Sequence, residues 1–192
     1  MKTGLFFGSF NPVHIGHLAI ANYMKEFTDL DAIWFVVSPQ NPLKNKSDLL
    51  DDHLRLHMMK LVFGDDGDND YYVSDIEFSM PKPSYTVNTI KKIQLENQGR
   101  EFVMIIGSDS LMNLPKWDSY EEIIDLCKHY VYPRTGYPAE KFKTYKSTYF
   151  IDAPKIDVSS SFVRKGLRDG HEMKFFLPSI VYNYIKEHKL YS

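Results

Sequence analysis

The chain has 192 residues, of which 43% are hydrophobic and 25% charged, and its formal net charge is −2. This length predicts one domain spanning residues 1–192, and the charge argues against nucleic-acid binding because no basic excess exists to neutralise phosphates. The single Cys127 excludes an intramolecular disulfide and a cysteine-rich metal site. No apolar run has the length of a signal peptide or membrane span, so we expect a cytoplasmic protein without nucleic-acid or membrane partners.

Apolar patterns and turn residues divide the chain into alternating strands and helices. Continuous apolar runs predict buried strands, and apolar residues three or four positions apart predict helices with one buried face. In chain order, the predicted elements are strand Thr3–Phe7, helix His14–Met24, strand Ala32–Val37, helix Asp51–Val62, strand Tyr71–Phe78, helix Tyr85–Gln98, strand Phe102–Ile106, helix Ser119–Cys127, strands His129–Tyr132 and Thr148–Ile151, and helices Ser159–Leu167 and Ile180–His188. Gly99 is placed to end the predicted helix Tyr85–Gln98. Ser119 and Glu122 have the spacing of a capping box at the start of the predicted helix Ser119–Cys127.

This alternation predicts an α/β fold with a doubly wound, mostly parallel sheet and closing C-terminal helices. Ligands of such sheets bind beyond the carboxyl ends of the strands, near a switch in strand order. Polar loops containing glycine or proline follow three of the predicted strands, at Gly8-Ser9, Ser38–Lys44 and Gly107–Asp109. We therefore expect the functional site at this edge of the sheet.

Two histidines follow the first predicted strand, in the segment Gly8-Ser9-Phe10-Asn11-Pro12-Val13-His14-Ile15-Gly16-His17. His14 and His17 are three residues apart, which puts both on one helix face and within reach of one ligand. Gly16 removes a side chain between them, and the free N–H groups of a first helical turn favour phosphate. A histidine taken alone is more often structural or solvent-facing, and zinc would need a third ligand that the sequence does not suggest. The pair in this setting predicts a phosphate site.

Hydroxyl side chains and an arginine open a later predicted helix, at Ser159-Ser160-Ser161-Phe162-Val163-Arg164. Ser159 or Ser160 can cap this helix, and its first turn would also favour phosphate. Ser161 and Arg164 share one face, and the guanidinium group is a planar, permanently charged phosphate ligand. By itself the segment is a capped helix with a surface arginine. Together with the histidine segment it predicts the second half of a nucleoside triphosphate site.

The spacing Gly-Ser-Phe-Asn-Pro-x-His-x-Gly-His resembles the signature of the nucleotidyltransferase superfamily with the HxGH motif, which includes class I aminoacyl-tRNA synthetases. Val158–Arg164 is similar to its Ile-Ser-x-Thr-x-x-Arg motif, with Val158 for isoleucine and Ser161 for threonine. This resemblance implies a Rossmann-like nucleotidyltransferase fold. The Lys-Met-Ser-Lys-Ser loop expected of a synthetase is absent from the sequence.

Motifs in the middle of the chain resemble one branch, the bacterial nicotinate-nucleotide adenylyltransferases. The matching segments are Pro83–Thr89 (Pro-Ser-Tyr-Thr-x-Asp-Thr in that family), Gly107-Ser108-Asp109 with Trp117, Pro42-Leu43-Lys44 (Pro-Pro-His-Lys), Arg55 and the closing Leu177–Tyr191 pattern. Asn11 and Asn88 stand where that family usually has aspartate. The change at Asn88 removes a charge and weakens any role carried to that position.

The resemblance implies transfer of AMP from ATP to nicotinate mononucleotide, with deamido-NAD and pyrophosphate as products. Mg²⁺ would bridge ATP oxygens without a dedicated protein metal site. The implied catalytic residues are His17, His14 and Arg164. The implied ATP-binding residues are Gly8, Ser9, Phe10, Gly16, Gly107, Asp109, Ser159, Ser160 and Ser161. The implied mononucleotide-binding residues are Lys44, Tyr85, Thr86 and Trp117.

Some of these residues have structural alternatives. Asp109 can accept hydrogen bonds from ribose hydroxyls or cap a helix. Trp117 can stack on a pyridine ring or belong to the core. Lys44 can bind phosphate as a point charge or remain solvated.

Three other functions remain open at this point. Pantetheine-phosphate adenylyltransferases usually have threonine at the position of His14 and a shorter chain, and cytidylyltransferases have an Arg-Thr-x-Gly motif that is absent from this sequence. A non-catalytic adenine-nucleotide sensor on the same fold would not need both histidines. The sequence also leaves open the choice between nicotinate and nicotinamide and whether the chain forms a homo-oligomer.

Overall fold

A computed structural model describes residues 1–39, 49–65, 67, 70–138 and 145–192. Its strands form one parallel sheet in the order β3-β2-β1-β4-β5-β6. The strands are β1 (Lys2–Gly8), β2 (Ala32–Val37), β3 (Tyr71–Ser74), β4 (Glu101–Gly107), β5 (Lys128–Tyr132) and β6 (Thr148–Phe150). The helices are α1 (Ile15–Phe27), α2 (Asp52–Phe63), α3 (Thr86–Glu96), α4 (Ser108–Asn113), α5 (Tyr120–Leu126), α6 (Ser160–Arg168) and α7 (Ser179–Glu187).

The strand order reverses between β1 and β4. The chain runs outward from β1 through β2 to β3, returns to β4 on the other side of β1, and continues outward to β6. Leu5 of β1 faces Trp34 of β2 on one side and Met104 of β4 on the other, all in parallel register. This arrangement confirms the predicted doubly wound sheet and puts its switch point at the carboxyl end of β1.

Two apolar cores cover the two faces of the sheet. Side chains alternate along a strand, so Leu5 and Phe6 of β1 belong to different cores. One core receives α1, α2, α6 and α7, and the other receives α3, α4 and α5. Burial on both faces explains why the central strands are continuous apolar runs.

The predicted strand Tyr71–Phe78 is wrong in its second half. β3 ends at Ser74, and Ile76–Ser79 is a short 3-10 helix. The buried side chain in this helix is the carboxylate of Glu77, which accepts hydrogen bonds from two hydroxyl groups. The sequence pattern was misleading at this point, because the side chain buried here is the polar one of Glu77.

Three local predictions also differ from the structure. Ser119 is the N-cap residue of α5 as predicted, but it has a φ of 51° and its hydroxyl contacts Asp118 instead of making the capping hydrogen bond. The segment after β4 is not a loop, because α4 begins directly at Ser108. Gly99 has a φ of 87° as expected of a glycine turn, but α3 already ends at Glu96. Among the described residues, no helix is long and apolar enough to cross a membrane.

Candidate active site

A cleft of about 420 Å³ opens at the carboxyl end of the sheet, beside the switch point. The loops after β1 and β5, the first turn of α4 and the first turn of α6 form its walls. The sequence-predicted residues that line it are Gly8, Ser9, Phe10, His14, Gly16, His17, Asp109, Ser159, Ser160, Ser161 and Arg164. The two chain segments that were expected to form the halves of a triphosphate site thus meet in one cavity.

The two histidines lie at the start of α1. His14 is the N-cap residue, and its ring stacks on that of His17 with 3.7 Å between centroids. The backbone N–H of His14 donates to Nδ1 of His17 over 3.2 Å. This contact leaves Nε2 to carry the proton of a neutral His17.

His14 is uncharged at neutral pH. Burial, and then the charge of Arg134, lower the pKa of His14 to about 3. Nδ1 of His14 and Nε of Arg164 are buried without a hydrogen-bond partner among the described residues. Buried polar atoms are normally paired, so these two nitrogens indicate where a polar ligand would complete the cleft.

Close packing fixes the loop between β1 and α1, residues Ser9–His14, which we call the histidine loop. Phe10 has a φ of 43°, a conformation that costs an aromatic residue about 1–3 kcal/mol. Its buried ring meets the edge of His17 with 5.1 Å between centroids. A Cβ atom on Gly16 would lie 3.0 Å from Nδ1 of His14. The glycine therefore makes room for the His14 ring as well as for a ligand.

The start of α6 is tied directly to the histidine loop. Ser159 caps the helix by accepting a hydrogen bond from the N–H of Phe162. Ser160 Oγ donates to the carbonyl of Pro12 over 2.9 Å, and Arg164 Nη1 donates to that of Asn11 over 2.8 Å. These contacts, which join residues about 150 positions apart, hold the guanidinium group and the helix N-terminus against the loop.

Asp109 lies in the first turn of α4, and Gly107 is the N-cap residue, so the N-cap alternative for Asp109 is wrong. Gly107 is not among the lining residues, but a Cβ atom there would lie 2.4 Å from Oδ1 of Asp109. Arg134 reaches to 4.0 Å from the same carboxylate and donates to the carbonyl of Ile156. Sequence reasoning missed Arg134, which stands between the predicted strands His129–Tyr132 and Thr148–Ile151, where no element is predicted.

The described members of the predicted mononucleotide set, Tyr85, Thr86 and Trp117, lie outside the lining of this cleft. Tyr85 is the N-cap residue of α3 and Thr86 its first residue. Trp117 is half-buried and packs against the core on the α3 side of the sheet. Lys44 lies outside the described residues. The structure therefore does not bring these three residues into the cleft, and the core alternative for Trp117 is compatible with its packing.

Arg55 is fully buried in α2 and holds the loops after β1 and β2. Its guanidinium donates to backbone carbonyls of the residues Leu50, Ser9, Ser38 and Pro39, with distances of 2.7–2.9 Å. Burial lowers the pKa of Arg55. The sequence singled out Arg55 only through resemblance, because a charged residue on a helix gives no signal that it will be buried.

Comparison with known proteins identifies the family. The cytidylyltransferase-like family model matches residues 5–166. The "Probable nicotinate-nucleotide adenylyltransferase" of Bacteroides fragilis strain YCH46 is 45% identical over 184 residues, covering 96% of this chain and 90% of that protein. The protein of the same name from Flavobacterium johnsoniae strain UW101 is 45% identical over an alignment of 193 residues, covering 100% and 99%. The chain belongs to the nicotinate-nucleotide adenylyltransferase family.

Solved structures agree with the fold of this family. Plasmodium falciparum nicotinic acid mononucleotide adenylyltransferase complexed with NaAD has a TM-score of 0.84 at 21% identity, covering 99% of this chain and 97% of that chain. The same protein complexed with APC has a TM-score of 0.82 at 20% identity, with 99% and 96% covered. The predicted nucleotidyltransferase fold is confirmed, and the relatives confirm the family that the sequence motifs resemble.

The nicotinate-nucleotide adenylyltransferase family is a family of nucleotidyltransferases, which typically use a divalent metal. Across the described ranges, no three His, Cys, Asp or Glu side chains come together in a group that could hold one. Asp109 is the one carboxylate among the described lining residues. The described lining thus combines this one carboxylate with the guanidinium groups of Arg134 and Arg164.

Proposed function

We propose that the cleft transfers AMP from ATP to nicotinate mononucleotide in NAD biosynthesis, giving deamido-NAD and pyrophosphate. The mononucleotide phosphate oxygen attacks the α-phosphorus of ATP in line, the new O–P bond forms, and the bond to the pyrophosphate oxygen breaks. The observation that carries the proposal is the meeting of the His14–His17 pair with Arg164 and the start of α6 in one cleft. Membership of the family supports the choice of substrates.

The triphosphate would lie between α1 and α6. A neutral His17 carries its proton on Nε2, because Nδ1 accepts from the backbone of His14, and can donate it in a hydrogen bond to a phosphate oxygen. Arg164 adds a permanent positive charge, and Ser159, Ser160 and Ser161 open a helix whose first N–H groups favour phosphate. The unpaired Nδ1 of His14 and Nε of Arg164 would gain partners.

The nucleoside of ATP would extend from this phosphate site towards β4. The carboxylate of Asp109 can accept hydrogen bonds from ribose hydroxyls, and Gly107 leaves the room that this carboxylate occupies. The loop residues Gly8, Ser9 and Phe10 and the helix residue Gly16 line the same wall. Gly8 and Gly16 among them carry no side chain that a ligand would meet.

The acceptor would bind beside α3. The N–H groups of the first turn, at Tyr85 and Thr86, favour the pyridine carboxylate because a helix N-terminus attracts anions. Trp117 would stack on the pyridine ring, worth about 0.5–1.5 kcal/mol beyond area burial. Lys44 would supply a positive charge for the mononucleotide phosphate.

Mg²⁺ would enter with ATP, held by phosphate and water oxygens. When bound, it would neutralise charge on the triphosphate oxygens. The chain's own contribution is to hold those oxygens through His14, His17 and Arg164. Catalysis then consists of positioning the two phosphates and stabilising the developing charge.

Direct transfer also agrees with the state of the single cysteine. Cys127 is buried, and burial raises the pKa of its thiol to about 12. Only a thiolate is a strong nucleophile, so this residue does not offer a covalent route.

An assay of pyrophosphate release with ATP and a panel of acceptors tests the proposal. We expect turnover with nicotinate mononucleotide and far less with phosphopantetheine, and a comparison with nicotinamide mononucleotide measures the acid preference. Turnover with phosphopantetheine alone would move the chain to the other adenylyltransferase branch. ATP binding without turnover of any acceptor would indicate a nucleotide sensor.

A further inference from the structure

A buried carboxylate lies next to the segment that we assign to the acceptor. Glu77 is 2% exposed and belongs to the 3-10 helix Ile76–Ser79. It accepts hydrogen bonds from Ser84 Oγ over 2.6 Å and from Thr89 Oγ1 over 2.9 Å. Ser84 precedes the N-cap Tyr85 of α3, and Thr89 lies one turn into that helix. The carboxylate therefore holds the N-terminal turn from both ends.

The same carboxylate is connected to the histidine loop, beside which we place the triphosphate. The hydroxyl of Ser38 also hydrogen-bonds to Glu77. The carbonyl of Ser38 accepts a 2.7 Å hydrogen bond from Nη1 of Arg55, which also donates to the carbonyl of Ser9 over 2.7 Å. A continuous series of hydrogen bonds thus runs from the loop after β1, through Arg55 and Ser38, to the start of α3.

Burying this carboxylate is costly, which argues that it has a use beyond stability. Burial raises the pKa of Glu77, and the hydrogen bonds from Ser84 and Thr89 oppose that rise. An apolar residue of similar volume is often at least as stabilising as a buried charge. Buried polar networks instead specify one arrangement of the groups that they join.

We propose that Glu77 is a positioning residue for the acceptor. It fixes the first turn of α3 and sets the position of this turn relative to the histidine loop through Ser38 and Arg55. The inference rests on the proposed function, which puts the pyridine carboxylate at Tyr85 and Thr86. Glu77 acts through these residues and touches no substrate. Its loss therefore weakens acceptor binding while ATP binding is retained.

The test compares the Michaelis constants of the two substrates in variants of the intact protein. Wild-type turnover with nicotinate mononucleotide comes first, because its absence refutes the proposed function rather than this inference. In Glu77→Gln we expect the KM for the mononucleotide to rise about ten-fold or more, as for loss of a hydrogen bond to a charged group, and the KM for ATP to change by less than about two-fold.

Variants of the two hydroxyl donors keep the test decisive if Glu77→Gln does not fold. Ser84→Ala and Thr89→Val should raise the mononucleotide KM in the same selective way, while Thr89→Ser, which keeps the hydroxyl, should stay near wild type. Ser79→Ala is the matched control, since its exposed hydroxyl on the same 3-10 helix contacts Lys92 of α3. Equal changes in both KM values, or a lower urea midpoint with both KM values unchanged, would overturn the proposal.

Discussion

The imidazole rings of His14 and His17 lie face to face, with 25° between their planes. Two protonated rings at this separation would repel each other. The structure avoids this at neutral pH because burial and Arg134 keep the pKa of His14 near 3. In the proposed mechanism the pair would therefore offer the triphosphate a neutral ring beside a hydrogen-bond donor, and Arg164 would supply the positive charge.

His17→Ala removes the donor that we place on a phosphate oxygen. We expect kcat to fall by about 10²–10³-fold, the usual cost of losing one donor that stabilises transition-state charge. Urea unfolding should show that the variant remains folded. His171→Ala, at an exposed position, is the control and should keep wild-type turnover. Near-normal kcat in His17→Ala would refute the role of the histidine pair.

Arg164→Lys keeps the charge and loses the planar guanidinium group. The hydrogen bond to the carbonyl of Asn11 and the contact of Nε with a ligand should both weaken, so we expect kcat/KM for ATP to fall by about ten-fold or more. Arg168→Lys, exposed in the last turn of the same helix, is the matched control. Steady-state kinetics that show the same small change in both variants would remove Arg164 from the phosphate site.

Trp117→Ala tests the acceptor site separately from the ATP site. Loss of a stacking partner worth about 0.5–1.5 kcal/mol should raise the KM for the mononucleotide by about 2–12-fold. The KM for ATP should stay nearly constant. Trp117→Phe keeps an aromatic face and should recover most of the affinity. Equal effects on both substrates would show that Trp117 serves the core alone.

His129→Leu tests a buried histidine that the proposed chemistry does not use. His129 is fully buried, both ring nitrogens lack a partner among the described residues, and burial lowers its pKa to about 4. Between the ordinary pKa near 6.5 and this value the unfolded chain binds the proton more tightly. The free energy of unfolding therefore decreases as the pH decreases, by about 2 kcal/mol from about pH 7 to about pH 5 for this group.

The measurement is urea unfolding at several pH values. His129→Leu should lose the share of the acid sensitivity that His129 contributes, while His14 still contributes its own share in both proteins. His171→Leu is the exposed control and should follow the wild-type curve. If the free energy of unfolding of His129→Leu depends on pH as in the wild type, His129 is not a source of the acid sensitivity.

The fold could be predicted from the sequence because burial and backbone period agree in the central strands. Ala32–Val37 was predicted with its observed bounds, since a strand covered on both faces leaves a continuous apolar run. The prediction failed where a polar side chain is buried and where a residue adopts an unusual backbone conformation. Glu77 lies inward in a 3-10 helix, and Ser119 adopts a left-handed conformation that no capping pattern reveals.

The two ends of the candidate site were visible in the sequence, but the groups that hold it were not. His14, His17 and Arg164 have characteristic types and spacings, and they line one cleft. Arg55 and Arg134 have neither, because their roles depend on backbone carbonyls and a carboxylate that only the folded chain brings near them. Tertiary contacts across distant loops leave no local pattern.

A single-turnover experiment tests the central claim most directly. The enzyme is mixed with nicotinate mononucleotide and ATP that carries a radioactive α-phosphorus, and the labelled species are separated after rapid quenching. The account predicts that the label passes from ATP into deamido-NAD at the rate of pyrophosphate release, with none on the denatured protein. Label on the protein before product appears, or no labelled deamido-NAD at all, would contradict direct transfer in this cleft.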